Sequence, residues 1–478
     1  MTALANNTKS DLVFTSATEQ AELIRRRKLS PVELIQIYLE RIEKLNPSLL
    51  AYVTVEPEHA LRAAREAERT LAREEANLPP FLGVPVSVKD LDHVVGMRTT
   101  FSSKLFADYV PTEDAGYVRR LREAGFIILG KTNTPEFGTS LTVSELNGIC
   151  RNPWNTDLSA AGSSGGAGAA VAAGLCPVAH GSDGGGSVRL PAAWNGVVGL
   201  KPSRGRISLG PSLGELIAGH AAEGPLTRTV RDCAALLDVM SGYETGDPYW
   251  APPPARPFVE EVGVAPGKLR IAVTTNLPLG GNVDAVCVEG AMETARLLES
   301  LGHAVEEAAP EWASDEIMTA TAVLWLPIIT SFGVEEKDLD KIEPRNRLMF
   351  KTAQATSAND YVRALNRVQT FYRKFLKFWD SYDLLLTPTT PTMPVAANAI
   401  PWNVERNFTE TIKSGPAFTS AASASGQPAI SLPLHWAPNG LPCGVQFMGR
   451  PADEAMLLRV SAQLELARPW AHRRPPVS

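Results

Sequence analysis

The stretch GSDGGGSVRLPAAWNG, residues 181–196, places three consecutive glycines directly before Ser187. Because glycine has no Cβ, such a run can expose successive backbone N–H groups around a tight turn. Donors that point at one spot stabilise the oxyanion of a tetrahedral intermediate. A serine beside them has the setting of a nucleophile, although a tight turn with an incidental serine has the same letters. The question that this stretch raises is which group would take the proton of Ser187.

Two other segments carry polar residues in comparable settings. SAAGSSGGAG, residues 159–168, places Ser163 and Ser164 between glycines just before a small-residue helix. GVPVSVKD, residues 83–90, is a short apolar strand that reaches Lys89. Alone, each pattern also fits an ordinary role, either a flexible turn at a helix start or a solvated lysine. The seven histidines show no triad spacing, so a histidine base is not indicated.

Taken together, these segments resemble the amidase signature family. The resemblance covers roughly residues 30–470, and further blocks follow in the family's order. They are GKTNTPEFG (130–138), RNPWN (151–155), GPLTRTVRDCAALLDVMSG (224–242), YDLLLTPTTP (382–391) and NGLPCGVQFMGRP (439–451). The resemblance and the alternation of helices with short apolar strands predict an α/β fold. We expect a central mixed, twisted β-sheet that is covered by helices on both sides.

The resemblance also implies a catalytic set that needs no histidine. A neutral lysine, Lys89, would accept a proton from Ser163, the serine that follows a cis peptide bond, and Ser163 would take the proton of the nucleophile Ser187. Burial favours the neutral form of a lysine. The oxyanion hole would consist of the backbone N–H groups of Gly184, Gly185, Gly186 and Ser187.

Three further residues are predicted to support this set, namely Asp183, Arg189 and Ser164. Asp183 and Arg189 would brace the glycine loop, although an ordinary structural ion pair is an equal alternative. The sequence departs from the common family pattern at four positions. Ala160 and Ala161 replace a proline and a glycine, Ser182 replaces a frequent threonine, and Ser423 stands where asparagine is common.

Two short motifs match other enzyme classes in their letters only. GFIILGKT, residues 125–132, fits the phosphate-binding P-loop pattern, but Phe-Ile-Ile-Leu is predicted to be a buried strand rather than a loop. GSSGG, residues 162–166, fits the nucleophile elbow with Ser164 as nucleophile. The preceding RNPWNTDLSAA is polar and rich in turn residues, so we expect no strand before it.

Composition excludes several classes of partner. The 478 residues carry a formal net charge of −6 and show no basic stripe, which argues against nucleic-acid binding. We expect no secretory signal and no membrane span. The five cysteines are scattered and form no CxxC pair, so a cytoplasmic location without disulfides or thiolate zinc is expected. The resemblance implies no cofactor and no metal, and a homo-oligomer is possible.

The sequence predicts a helical layer over residues 1–75 and an α/β core over residues 76–478, which together form one large domain. Residues 30–46 are predicted to form a helix that Ser30 caps, with Glu33 completing a capping box. A charged helix is expected over residues 57–76.

The resemblance implies an amidohydrolase that cleaves the C–N bond of linear amides. GRISLGPS (205–212) and GPLTRTVRD (224–232) look like segments of bacterial nylon-oligomer hydrolases and urethanases, so anilides and carbamates are candidate substrates. Residues 204–224 and 316–332 are candidate pocket segments, although the helical spacing of the second is more typical of a core helix than of a pocket wall. A glutamine-dependent amidotransferase subunit, an esterase and a non-catalytic binding protein remain alternatives.

Overall fold

An eleven-stranded mixed sheet forms the centre of the computed structural model, which describes residues 9–73, 77–398 and 417–478. The strands, including those of two small separate hairpins, are β1 (Tyr52–Val55), β2 (Pro85–Lys89), β3 (Ile127–Thr132), β4 (Val143–Ser144), β5 (Gly148–Ile149), β6 (Arg151–Asn152), β7 (Asn155–Ser159), β8 (Val178–Asp183), β9 (Val198–Lys201), β10 (Ala222–Thr227), β11 (Arg270–Val273), β12 (Ala304–Glu307), β13 (Leu384–Pro388), β14 (Ala429–Trp436) and β15 (Pro442–Met448). The order in the main sheet is β1-β3-β2-β8-β10-β9-β14-β15-β13-β11-β12.

Helices pack around this sheet. They are α1 (Lys9–Leu12), α2 (Ala17–Arg25), α3 (Pro31–Leu49), α4 (Pro57–Ala72), α5 (Gly116–Glu123), α6 (Gly165–Ala172), α7 (Arg189–Asn195), α8 (Val230–Met240), α9 (Ala285–Ser300), α10 (Asp315–Trp325), α11 (Ile328–Ser331), α12 (Pro344–Ala355), α13 (Ala358–Phe375), α14 (Ser420–Ser425) and α15 (Glu454–Ala467). None of the helices in the described ranges is long and apolar enough to cross a membrane.

The sheet is mixed and is covered on both faces, so the predicted fold class is confirmed. β2 runs parallel to β3 and β8, whereas β10 runs antiparallel to β8. Every residue of β2, β3, β13 and β15 is buried. Because successive side chains of a strand point to opposite faces, complete burial requires cover on both sides of the sheet.

The N-terminal segment contains the predicted helices and also one strand. The helix expected over residues 30–46 is α3, and the Ser30 hydroxyl accepts the Glu33 N–H at 3.2 Å. The predicted capping box is wrong in its second half, because among the described residues the Glu33 side chain does not accept the Ser30 N–H. The Ser30 hydroxyl contacts the Glu68 carboxylate as well. The charged helix α4 is confirmed over Pro57–Ala72, and the predicted residues 74–76 lie outside the described ranges. The division at residue 75 stays a prediction.

For the P-loop-like motif the predicted secondary structure is confirmed, whereas for the GSSGG motif it is wrong. Residues 127–132 of the P-loop-like motif form the buried strand β3, as expected. Before the GSSGG motif, the expectation of no strand is wrong, because NTDLS forms β7 and pairs with β6 in a small antiparallel hairpin. This hairpin is separate from the main sheet, so it does not form the strand-to-helix elbow of a hydrolase sheet.

Three neighbouring strands, β2, β8 and β10, bring charged and polar residues to the side of the sheet where β2 and β8 end. β2 and β8 are parallel, so Lys89 and Asp183, their last residues, end at the same edge. β10 starts at that edge and runs back, which places Glu223 opposite Ser182. This edge is where an α/β sheet presents loops for binding and catalysis.

Candidate active site

Lys89 lies fully buried at the end of β2, with its amine beside two serines. Its Nζ is 2.6 Å from Ser163 Oγ and 3.0 Å from Ser182 Oγ. Burial lowers the pKa of Lys89 to about 8, against the opposing effect of nearby carboxylates. An amine with this pKa is neutral in an appreciable fraction of molecules near neutral pH, and a neutral amine can accept a proton.

Ser163 occupies the tight turn that leads into α6. The peptide bond between Gly162 and Ser163 is cis, and Ser163 is 3% exposed. A Cβ at position 162 would lie 2.6 Å from Leu141 Cα, so the close approach of the backbone requires glycine there. The next residue, Ser164, is fully buried and holds the turn: its N–H donates to the Ser187 carbonyl at 3.1 Å, and its hydroxyl donates to the Ser182 carbonyl.

Ser187 lies in the turn between β8 and α7, directly after the glycine run. Its side chain faces the same pocket as Ser163. Within the described ranges the Ser187 hydroxyl makes no hydrogen bond. The structure thus brings the Lys89 and Ser163 side chains into direct contact and leaves the Ser187 hydroxyl open to the pocket.

The backbone of this turn presents four unused donors. In the described part of the chain, the N–H groups of Gly184, Gly185, Gly186 and Ser187 donate to no acceptor. The Asp183 carboxylate instead takes the N–H groups that follow, those of residues 188 and 189. Consecutive free N–H groups in a turn form a concave site for an anion.

Asp183 and Arg189 form a fully buried ion pair beneath this turn. Arg189 donates from Nη2 to Asp183 Oδ1 at 2.8 Å and from Nε to Oδ2 at 2.9 Å. Burial by itself raises the pKa of Asp183, but the charge and hydrogen bonds of Arg189 lower it to about 2. The ion pair that the sequence left open is therefore present and closes the turn across residues 183–189. The bracing role of the pair stays a prediction.

The remaining Arg189 donors tie the turn to the C-terminal part of the sheet. They reach the Thr419 carbonyl at 2.8 Å, Gln446 Oε1 at 2.7 Å and Ser423 Oγ at 3.0 Å. Ser423 also donates to Asp183 Oδ1 at 3.2 Å. Three segments far apart in sequence therefore fix the position of the glycine run.

A pocket of about 540 Å³ opens over these groups. Its polar end holds Ser163, Ser182, Ser187 and two carboxyl residues, Asp92 and Glu223. Its walls are mainly apolar and come from both candidate pocket segments. They include Leu209, Leu213 and Ile217 from the first segment, and Trp325, Ile328 and Phe332 from the second. The second segment also contributes to the core, because Ile317 and Leu324 of α10 are buried.

Sequence reasoning missed the role of four residues, three of them near Lys89 and one, Ser423, at the Asp183–Arg189 pair. Ser182 and Ser423 were noted only as departures from the family pattern, yet both contact site residues. Glu223 and His180 were not singled out, although Glu223 Oε2 lies 2.6 Å from His180 Nε2 beside the pocket. The signal for Glu223 was a charged residue between apolar neighbours in AEGPLT, a segment that forms the fully buried strand β10.

Among the residues that the structure describes, Asp92, His180 and Glu223 form the one group of three whose metal-ligating atoms lie within 4.8 Å of one another. Both ring nitrogens of His180 already have partners: Nε2 pairs with Glu223, and Nδ1 with the Tyr117 hydroxyl at 3.1 Å and the Lys89 N–H at 3.4 Å. A metal ion would have to displace these bonds, so the donor set does not fit a metal centre.

The fold and the site correspond to those of a known enzyme family. The sequence model of the amidase family matches residues 33–458, and the chain therefore belongs to the amidase signature family. It is an amidase-family hydrolase that acts on amide bonds.

Individual members of the family resemble this chain over nearly its whole length. The chain is 39% identical to the 6-aminohexanoate-cyclic-dimer hydrolase of Paenarthrobacter ureafaciens, over 98% of this chain and 97% of the relative. It is 37% identical to an acylamidase of Rhodococcus erythropolis, over 98% of each. Among solved structures, a substrate complex of 6-aminohexanoate cyclic dimer hydrolase superimposes with a TM-score of 0.90 at 38% identity, over 97% of this chain and 99% of that chain.

Proposed function

We propose that this protein hydrolyses amide C–N bonds of linear substrates with an apolar acyl or amine part, through a serine acyl-enzyme. The observation that carries the proposal is the 2.6 Å contact between the buried Lys89 amine and Ser163, beside the open Ser187 hydroxyl and four free N–H groups. The apolar pocket walls favour an aliphatic or aromatic group next to the scissile bond.

In the proposed first step, Ser187 Oγ attacks the carbonyl carbon and its proton passes to Ser163 Oγ. Ser163 gives its own proton to the neutral Lys89 amine, which becomes an ammonium. The carbonyl oxygen becomes an oxyanion that accepts hydrogen bonds from the N–H groups of residues 184–187.

Collapse of this intermediate breaks the C–N bond. The proton held by Lys89 returns through Ser163 to the leaving nitrogen, so an amine departs and Lys89 is neutral again. Water then attacks the acyl-enzyme by the same proton path, and the carboxylic acid leaves. Besides the substrate, one water molecule is consumed in each cycle, and every proton transfer runs between groups of the chain and these two reactants.

The relatives support the substrate class. The similarity to a 6-aminohexanoate-cyclic-dimer hydrolase and to an acylamidase favours amides of aliphatic acids. Anilides are included because the resemblance of the sequence motifs makes them candidates. Carbamates are a further candidate, because the same acyl transfer at a carbamate carbonyl releases an amine or an alcohol. An esterase remains the second candidate, since the proposed chemistry also cleaves esters.

A matched substrate panel tests the proposal. Amide, anilide, carbamate and ester derivatives of one linear acid, together with glutamine, are incubated with the purified chain and with Ser187→Ala. We expect turnover of the amide and anilide by the wild type, no turnover of any substrate by Ser187→Ala, and identical circular dichroism spectra. Equal rates in the two proteins would overturn the proposal. Activity on glutamine but not on anilides would instead favour an amidotransferase subunit.

A further inference from the structure

A buried chain of polar groups leads from Glu223 to the backbone of Lys89. Glu223 is 5% exposed, and its Oε2 lies 2.6 Å from His180 Nε2. His180 Nδ1 in turn accepts the Lys89 N–H at 3.4 Å and the Tyr117 hydroxyl at 3.1 Å. Because Nδ1 acts as an acceptor, the proton of the neutral ring is on Nε2, from which it is donated to the Glu223 carboxylate.

Glu223 is also a neighbour of the Lys89 amine through Ser182. Glu223 pairs directly with Ser182 across β10 and β8, so the two side chains lie on the same face of the sheet. Ser182 Oγ accepts a hydrogen bond from Lys89 Nζ at 3.0 Å. Glu223, Ser182 and Ser187 also line the same pocket. The Glu223 carboxyl is thus fixed close to the amine without bonding it directly.

We propose, on the basis of the proposed function, that Glu223 is a positioning residue whose buried carboxyl sets the pH at which Lys89 becomes neutral. A carboxylate close to an amine stabilises the ammonium form, whereas a protonated carboxyl does not. Since both groups are buried, the energy of each charge depends strongly on the other. Glu223 thereby determines how much of the enzyme carries the free amine at a given pH.

The other charged groups around Lys89 are few. Asp92 follows β2, with 16% of its side chain exposed, and Asp183 at the end of β8 is committed to Arg189. Lys131 of β3 bonds the Asp92 carbonyl rather than approaching Lys89. Asp92 and Glu223 are therefore the two carboxyl groups without an arginine partner that act on the amine.

The direction of the electrostatic effects agrees with this arrangement. Burial raises the pKa of Glu223 to about 8, against the lowering effect of the Lys89 charge. Burial lowers the pKa of Lys89 to about 8, and Glu223 is the first of the carboxyl groups that raise it. Burial lowers the pKa of His180 to about 4, which keeps the ring neutral.

The test is Glu223→Gln, which keeps an oxygen for the His180 N–H and removes the charge. Glu293→Gln is the matched control, since Glu293 also bonds a histidine, His435 Nδ1 at 3.2 Å, but lies outside the pocket. The protein is labelled with ε-¹³C lysine, and the Lys89 signal is assigned by its absence in Lys89→Met. The titration midpoint of Lys89 is then measured in each variant.

We expect the Lys89 midpoint to fall by at least about half a pH unit in Glu223→Gln and to stay unchanged in Glu293→Gln. The acid limb of kcat/KM for the amide should move by the same amount, which is about a threefold gain at low pH. An unchanged or higher midpoint would overturn the inference. If Glu223→Gln does not fold, Glu223→Ala provides the second variant, and a fall of the Lys89 midpoint is required there too.

The two readouts separate this inference from the proposed function. In one outcome the wild type hydrolyses no amide while the Lys89 midpoint still differs between the wild type and Glu223→Gln. That result would overturn the hydrolase proposal and leave the coupling intact. Full amide turnover with equal midpoints in wild type and Glu223→Gln would overturn the coupling alone.

Discussion

At the scale of single residues, the glycines of the site differ in what they require. Gly162 lies against the backbone of Leu141, and Gly186 has a φ of +144°, so neither position accepts a side chain without strain. Gly184 has no such backbone restriction, and a Cβ there would meet only side chains. It would lie 3.0 Å from Ile217 Cδ1 and 3.1 Å from Trp325 Cη2. Its role is to keep space open in the pocket.

Gly184→Ala is therefore expected to lower activity without unfolding the protein. The added methyl crowds the pocket wall beside the free N–H groups, so we expect kcat/KM for the amide to fall at least about tenfold, which corresponds to about 1.4 kcal/mol. The thermal midpoint should change by only a few degrees.

Gly214→Ala is the control for this change. Gly214 is exposed in the same pocket segment, and no atom lies within 4 Å of a Cβ built there. Its activity should match the wild type. Equal kcat/KM values for Gly184→Ala and the wild type would show that this wall does not contact the substrate.

At the scale of elements, the turn between β8 and α7 depends on the Asp183–Arg189 pair. Both side chains are fully buried, so removal of one partner leaves an uncompensated charge in the interior. Such a loss costs about 3–5 kcal/mol. Because the same pair positions the N–H groups of residues 184–187, it should also affect catalysis.

Arg189→Met is expected to lower the free energy of unfolding by about 3–5 kcal/mol and to reduce kcat at temperatures where the protein is still folded. Arg206→Met is the comparison variant, because the Arg206–Glu454 pair is nearly as buried and neither residue lines the pocket, although Arg206 lies in the first pocket segment. It should lose stability with little change in kcat. Urea unfolding and initial rates measured on both variants test this, and an equal loss of kcat in both would contradict the bracing role.

The same pair gives a pH dependence of stability with a definite sign. The pKa of Asp183 is lowered to about 2 in the folded chain and is about 3.9 in an unfolded chain. Its contribution to stability is therefore complete above about pH 4 and is lost as the pH falls through about 2. In Arg189→Met this acid-sensitive contribution should disappear.

At the scale of the whole molecule, the N-terminal segment is part of the sheet. β1 pairs with β3, whose residues are all buried, whereas β12 at the opposite edge carries exposed glutamates. Without β1, β3 would become an apolar edge strand with free N–H and C=O groups, which is a template for aggregation.

We therefore expect a chain that begins at residue 57 to be insoluble or to form large assemblies, which light scattering after gel filtration would detect. The full chain, run in parallel, supplies the reference state. A truncated protein with the same size distribution and thermal midpoint as the full chain would show that β1 is dispensable, and would support the division at residue 75.

Much of this architecture could be predicted from the sequence. Local patterns identified α3, α4, β2 and β3, because caps and apolar periodicity act within a few residues. The motifs identified Lys89, Ser163 and Ser187 as candidate catalytic residues without any information about their contacts. The strand β7 was missed because its residues are polar and its pairing with β6, not its composition, makes it a strand.

The α/β class, the family and the candidate catalytic residues could all be inferred from the amino-acid order, because they depend on short blocks whose meaning is local. The surroundings of Lys89 follow from the tertiary structure alone. Glu223, His180 and Ser182 meet there because β2, β8 and β10 are neighbours in the sheet, although the residues are up to 134 positions apart from Lys89 along the chain (223 − 89). Strand order and register are set by packing across the whole molecule, so no local pattern carries that information.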